Sequence, residues 1–305
     1  MPSARRPRKP CRWGTRPRPG KVGSCRIALY ERNHFISTNV WPSIHLLSAQ
    51  PLKRPDMHHL RWRNAASLVL TGFLSNLAWA ESDEIKVSTD EINSLGETSV
   101  ELHGNWSQPA KNAAPNQTNV FRGIAEFSYG FEQHWEAGLQ LPVTYVNSTW
   151  QGTGLRAEVQ YIAGHAQASG AYWGGRGEIG YVTPVDDSPY WAMELRPILG
   201  YRIDRWHVAA NPAISVALTG SDQQARFEPS AKLAYQLNAN NAVGVEYYLE
   251  AGPVTKFLPH DARSEMLYLV WDTRLGKTDV NLGLGAAMTD ASSRQVVKFI
   301  AGFPL

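Results

Sequence analysis

The chain has 305 residues, a formal charge of +3 and two cysteines. The charge is unevenly spread: residues 1–56 hold 12 Lys/Arg against 2 Asp/Glu, whereas residues 81–305 hold 16 against 25. Cys11 and Cys25 both fall in the basic part, so the acidic part excludes disulfides, thiolate metal sites and cysteine nucleophiles.

Residues 1–56 are rich in Pro and Arg ("ARRPRKPCRWGTRPRPGK") and lack a sustained apolar period, which predicts a disordered basic segment. Such an arm suits nucleic acid, but the next stretch favours another reading. Residues 57–80, "MHHLRWRNAASLVLTGFLSNLAWA", carry basic Arg61 and Arg63, an apolar run from Ala65 to Leu77, and a small-x-small end at Ala78–Ala80. That is the layout of a cleavable secretory signal, too short for a spanning helix. A signal opening at Met57 places residues 1–56 upstream of the true start, so no nucleic-acid partner is expected. Export through the Sec pathway follows, with residues 81–96 expected as a periplasmic N-terminal segment.

From residue 97 the hydrophobic period is two almost throughout. It predicts strands at 97–107, 119–131, 134–146, 153–162, 172–183, 190–202, 205–219, 225–237, 241–251, 264–275, 278–289 and 294–305. Tight connections ("FEQH", "YRIDRW", "LNANN", "LGKT") alternate with mostly longer polar ones such as "SQPAKNAAPNQT" and "AGPVTKFLPHDARSE". The pattern predicts an all-β fold, a transmembrane antiparallel up-and-down β-barrel of about 12 strands (10–14 at the limits) over residues 97–305.

Alternation alone does not say which face is inside, but the aromatic residues do. Tyr129, Trp135, Tyr161, Trp173, Tyr201, Trp206 and Tyr235 fall at the tight-turn ends of the apolar face. Trp106, Phe121, Tyr181, Trp191 and Phe227 fall at the other ends, with aliphatic residues between. Two aromatic girdles around an aliphatic band match the two membrane–water interfaces, whereas a soluble core would place its rings centrally. The apolar face therefore meets outer-membrane lipid, and the charged face lines the lumen. The expected lumen residues are Glu101, Arg122, Glu126, Glu136, Arg156, Glu158, Arg176, Glu178, Glu194, Arg196, Glu228, Lys232, Glu246, Asp272, Arg274 and Lys298. The spacing R-x-E recurs in Arg156/Glu158 and Arg176/Glu178 and is inverted in Glu194/Arg196, so Arg–Glu ladders across strands are expected. They either line a solute path or neutralise each other in a closed barrel; a hydrated lumen would make Arg176→Gln mild.

Pro142, Pro197, Pro212 and Pro229 lie inside proposed strands, where each removes a ladder donor, so a bulge or bend is expected. The final "QVVKFIAGFPL" keeps Val297, Phe299, Ala301, Phe303 and Leu305 on one face. It resembles the terminal signal read by the barrel assembly machinery, except that Pro304 and Leu305 follow Phe303. The stretches "ELRPILGYRIDRWHVAANPAISVAL", "RFEPSAKLAYQLNANNAVGVEYYLEAGPVTKFLP" and "NLGLGAAMTDASSRQVVKFIAGF" resemble an uncharacterised family of proteobacterial outer-membrane β-barrels. These are akin to those labelled transporter or meta-pathway phenol-degradation protein. The resemblance spans residues 119–305 and implies the fold and a Gram-negative outer-membrane location; no catalytic residues come with it.

His103, His134, His165, His207 and His260 show no forced serine neighbour, and no nucleophile-elbow, zinc-protease, P-loop or dinucleotide motif occurs. No enzyme activity, metal or cofactor is expected. The reading is a narrow channel or transporter for small solutes, with a closed structural or surface-interaction barrel as the alternative and an outer-membrane lipid-modifying enzyme as a more remote one.

Overall fold

The computed structural model describes residues 85–164, 169–185 and 187–305. The basic segment 1–56, the signal 57–80 and His165 lie outside the described residues. In chain order the strands are β1 (Thr98–Ser107), β2 (Val120–Glu132), β3 (Trp135–Val146), β4 (Thr149–Gly152), β5 (Gly154–Ala163), β6 (Gly170–Val182) and β7 (Tyr190–Ile203). They continue with β8 (Trp206–Ala217), β9 (Arg226–Asn238), β10 (Asn241–Glu250), β11 (Gly252–Pro253), β12 (Ser264–Leu275), β13 (Thr278–Ala287) and β14 (Gln295–Pro304). β4 and β11 are short loop pieces. The other twelve match the predicted strands to within two residues at either end.

Each strand pairs antiparallel with the next, and β14 returns to β1 from Ser99↔Pro304 to Ser107↔Val296, so the sheet closes on itself. Closure is what hydrocarbon demands: a free sheet edge there would leave unpaired peptide groups with no water to satisfy them. The apolar face is outward. Leu233 is 41% exposed and Leu269 67%, whereas Glu246 and Lys298 on the opposite face are 2% and 1%. Rings ring both rims: Trp135, Tyr161 and Trp173 run together at centroid spacings of 4.8 and 5.9 Å at the tight-turn end. Tyr181 and Trp191, 5.5 Å apart, belong to the long-loop end.

The irregularity expected from the prolines takes the form of a gap. β7 and β8 pair at Leu195↔Ile214 and again at Leu199↔Ala210, with nothing between. Pro197 and Pro212 sit in that gap without N–H groups to close it, and Pro212 faces Pro229 on β9. β3 pairs with β5 only as far as Gln140↔Arg156, just before Pro142, and from Val143 onward it pairs with β4.

Residues 85–96, within the segment expected as a periplasmic N-terminus, form a strap that runs inside the barrel. Gly96, in the left-handed region (φ 83°), turns the strap into β1, and its N–H donates to the Gly130 carbonyl at 2.7 Å. A Cβ on Gly130 would stand 2.2 Å from the Ser94 carbonyl oxygen, so the close approach requires glycine there. Further in, Ile92 packs on Ile162, Tyr172 and Ile198, and Ile85 on the cluster of Met266, Tyr268, Val270 and Val296. The alternation of Ile85, Val87 and Thr89 thus belongs to a segment that buries side chains, as a solvated tail would not.

Candidate functional site

The lumen is built from alternate residues of all twelve strands, with the strap across it. Fifteen of the sixteen predicted lining residues lie on the buried or half-buried inner face of their strands; Arg274 instead reaches the tight-turn rim, exposed and paired with Asp279 at 2.6 Å. There the strand is ending, and no wall remains above the side chain.

The Arg–Glu ladders form differently from the expectation. Directly opposite positions carry like charges: Glu158↔Glu178↔Glu194 and Arg176↔Arg196. Antiparallel neighbours reverse direction, so R-x-E on one strand meets R-x-E on the next with the glutamates aligned. Neutralisation is therefore diagonal, in Arg176–Glu158 (3.4 Å) and Arg156–Glu178 (3.7 Å), or along one strand, in Arg196–Glu194 (2.7 Å). On the far wall Lys232 bridges Glu246 (3.2 Å) and Asp272 (2.8 Å), and Glu246 also pairs with Lys298 and accepts from the Tyr248 hydroxyl. Glu126 accepts from Ser128 Oγ and Gln140 Nε2, and Arg122 donates to Ser107 Oγ. Glu228 is half-buried on the inner face opposite Ala213.

The strap is fastened to this wall by its backbone as much as by side chains. Asn211 Oδ1 accepts from Ser88 N–H (2.7 Å), and Asn211 Nδ2 donates to the Ser88 carbonyl (3.1 Å) and to the Pro197 carbonyl (3.4 Å). One fully buried amide therefore holds the strap and spans the proline gap. Arg202 grips Asp90 through two nitrogens, and Asn93 N–H donates to Glu136 Oε2 at 2.8 Å. The Lys86 carbonyl accepts from Arg196, the Glu91 carbonyl from Gln160 Nε2 and the Ile85 carbonyl from Lys298. Lys86 itself ends on Glu101 at 2.5 Å.

Below the strap, toward the tight turns, lies a cavity of about 450 Å³. Its lining includes Lys86, Glu91, Arg202, His207, Lys232 and Asp272. His207 is engaged by the Tyr172 hydroxyl at 2.7 Å. A second opening at the rim is bordered by Arg202, Arg205 and Arg274.

Sequence reasoning missed the strap residues and the neutral polar members of the wall, Gln140, Gln160 and Asn211. Alternation within "IKVST" was the available signal for the strap, and an asparagine beside Pro212 on a lumen position was the signal for the clasp.

No protein-family model matches the chain, and neither does any curated protein. Among solved structures, the COG4313 outer membrane channel from Pseudomonas putida F1 superposes with a TM-score of 0.54 at 11% identity, covering 73% of this chain and 100% of that one. The translocator domain of the autotransporter NalP from Neisseria meningitidis gives 0.42 at 10% identity, over 70% and 90%. The chain has the fold of an outer-membrane β-barrel. The identity with the first structure is low enough that the likeness extends to the fold alone, a closed barrel of twelve strands.

Proposed function

We propose that this barrel sits in the Gram-negative outer membrane, long loops outward, and is a narrow channel for small solutes whose passage depends on the strap. The observation that carries the reading is the cavity of about 450 Å³ on the tight-turn side, lined by the barrel wall and bordered by the strap.

A structural or surface-interaction barrel is the second reading. It is favoured by the long loop after β11, where Phe257 is 54% exposed and leans on Phe227 at 6.0 Å. No catalytic role is proposed for His207, which bonds to the Tyr172 hydroxyl. Proteoliposomes loaded with a size series of neutral solutes separate the readings: a channel releases the smallest faster than empty vesicles do, and equal release at every size would leave the structural barrel.

A further inference from the structure

Glu101 on β1 stands directly opposite Glu126 on β2, so two carboxylates share one row of the inner face. Like charges in that relation repel unless something positive lies between them. His103, two residues beyond Glu101 on the same face, turns Nε2 toward both, 3.0 Å from Glu101 Oε2 and 3.7 Å from Glu126 Oε2. Its side chain is 1% exposed and its Nδ1 has no hydrogen-bond partner, so the whole polar contact of a buried ring is with these two carboxylates. The three ligand atoms lie within 4.8 Å of one another. Ser128 and Gln140 hold Glu126 from behind, as outer groups hold a metal-ligating carboxylate.

We infer that Glu101, His103 and Glu126 form a binding site for a divalent transition-metal ion, zinc by its ligand chemistry, and that the ion competes with the strap residue Lys86 for Glu101. The donor set of one imidazole and two carboxylates suits zinc, whose ligand atoms at about 2.0–2.2 Å from the ion stand roughly 3–4 Å apart. The Lys86 ammonium occupies the cation position on Glu101 Oε2 when the strap is docked. With Lys86 in place, the cluster of two carboxylates and one ammonium keeps a formal charge of −1; a divalent ion in its stead brings it to zero. Ion binding and strap docking are then linked, and linkage is reciprocal: whatever weakens the hold of Lys86 must tighten the ion, and the ion must loosen the strap. The site needs no channel activity to exist, so it stands or falls apart from the proposed function.

The test is zinc binding by calorimetry on the purified, chelator-stripped barrel in detergent, with heat-modifiable gel mobility reporting the fold of each variant. The wild type is expected to bind one equivalent, Lys86→Met to bind it at least 10-fold more tightly, and His103→Gln at least 30-fold more weakly. Glu126→Gln, expected to weaken binding as well, stands in should His103→Gln fail to fold. Absence of zinc binding in both the wild type and Lys86→Met overturns the site. Unchanged affinity in the folded His103→Gln or Glu126→Gln barrel places the ion elsewhere and does the same, and equal affinity in wild type and Lys86→Met overturns the competition.

Discussion

Replacing Asn211 by Ala is the sharpest way to free the strap without touching it. Asn211 is fully buried and makes both a donor and an acceptor bond with the Ser88 peptide, at 3.1 and 2.7 Å. With alanine there, the docked strap keeps a buried N–H and C=O with no partner, while the undocked strap gives both to lumen water. Two lost hydrogen bonds at about 1–1.5 kcal/mol each put the cost to docking at about 2–3 kcal/mol. That is roughly a 30- to 150-fold shift toward the undocked state. The assay is maleimide labelling of a cysteine at Ser88, which is 3% exposed when docked, introduced into a form lacking Cys11 and Cys25. Labelling should accelerate by about the same factor while heat-modifiable mobility stays unchanged. A Ser88 cysteine that labels equally slowly with and without Asn211 refutes the clasp.

Leu233 faces lipid between Val208 and Val245; Leu233→Arg should cost about 2–4 kcal/mol near the bilayer midplane, read as the urea midpoint for unfolding from vesicles, and a change under about 0.5 kcal/mol would contradict the assigned face. Arg176 and Glu158 are 2% and 3% exposed at the side chain, so Arg176→Gln should lose about 3–5 kcal/mol by removing one charge of a buried pair, even though Gln140 Nε2 still donates to Glu158. That is the opposite of the mild effect expected for a hydrated lumen, and a loss near zero would restore it. Cysteines at Asn116 or Asp261, in long loops, should react in intact cells with an impermeant maleimide, whereas those at Asn240 or Lys277, in tight turns, should not; the reverse pattern inverts the orientation.

The wall was legible in the sequence because each strand face answers to a different solvent, and the period of two records which residue meets which. That is why Glu246 and Leu233 could be assigned to opposite sides from alternation alone, and why aromatic rims decided between lipid and core. Charge pairing was legible only in kind. Which glutamate meets which arginine depends on register, and register follows from turn lengths and closure that no single strand records; hence Glu158 faces Glu178 and pairs diagonally. The strap was hidden for another reason. Its bonds run largely from backbone atoms, such as the Ser88 amide and the Lys86 carbonyl, and peptide groups carry no sequence signature. The prolines on β7 to β9 did announce an irregularity, but the amide that fills it, Asn211, reads as an ordinary polar residue until the strap is seen against it.

Single-channel conductance in planar bilayers, comparing the full chain with a form lacking residues 85–94, tests whether the strap, and not the wall, limits passage. Small, intermittent steps are expected in the full chain and larger, steady ones after the deletion, with the barrel still heat-modifiable. A correctly folded deletion form that conducts no more than the full chain would contradict a limit set by the strap.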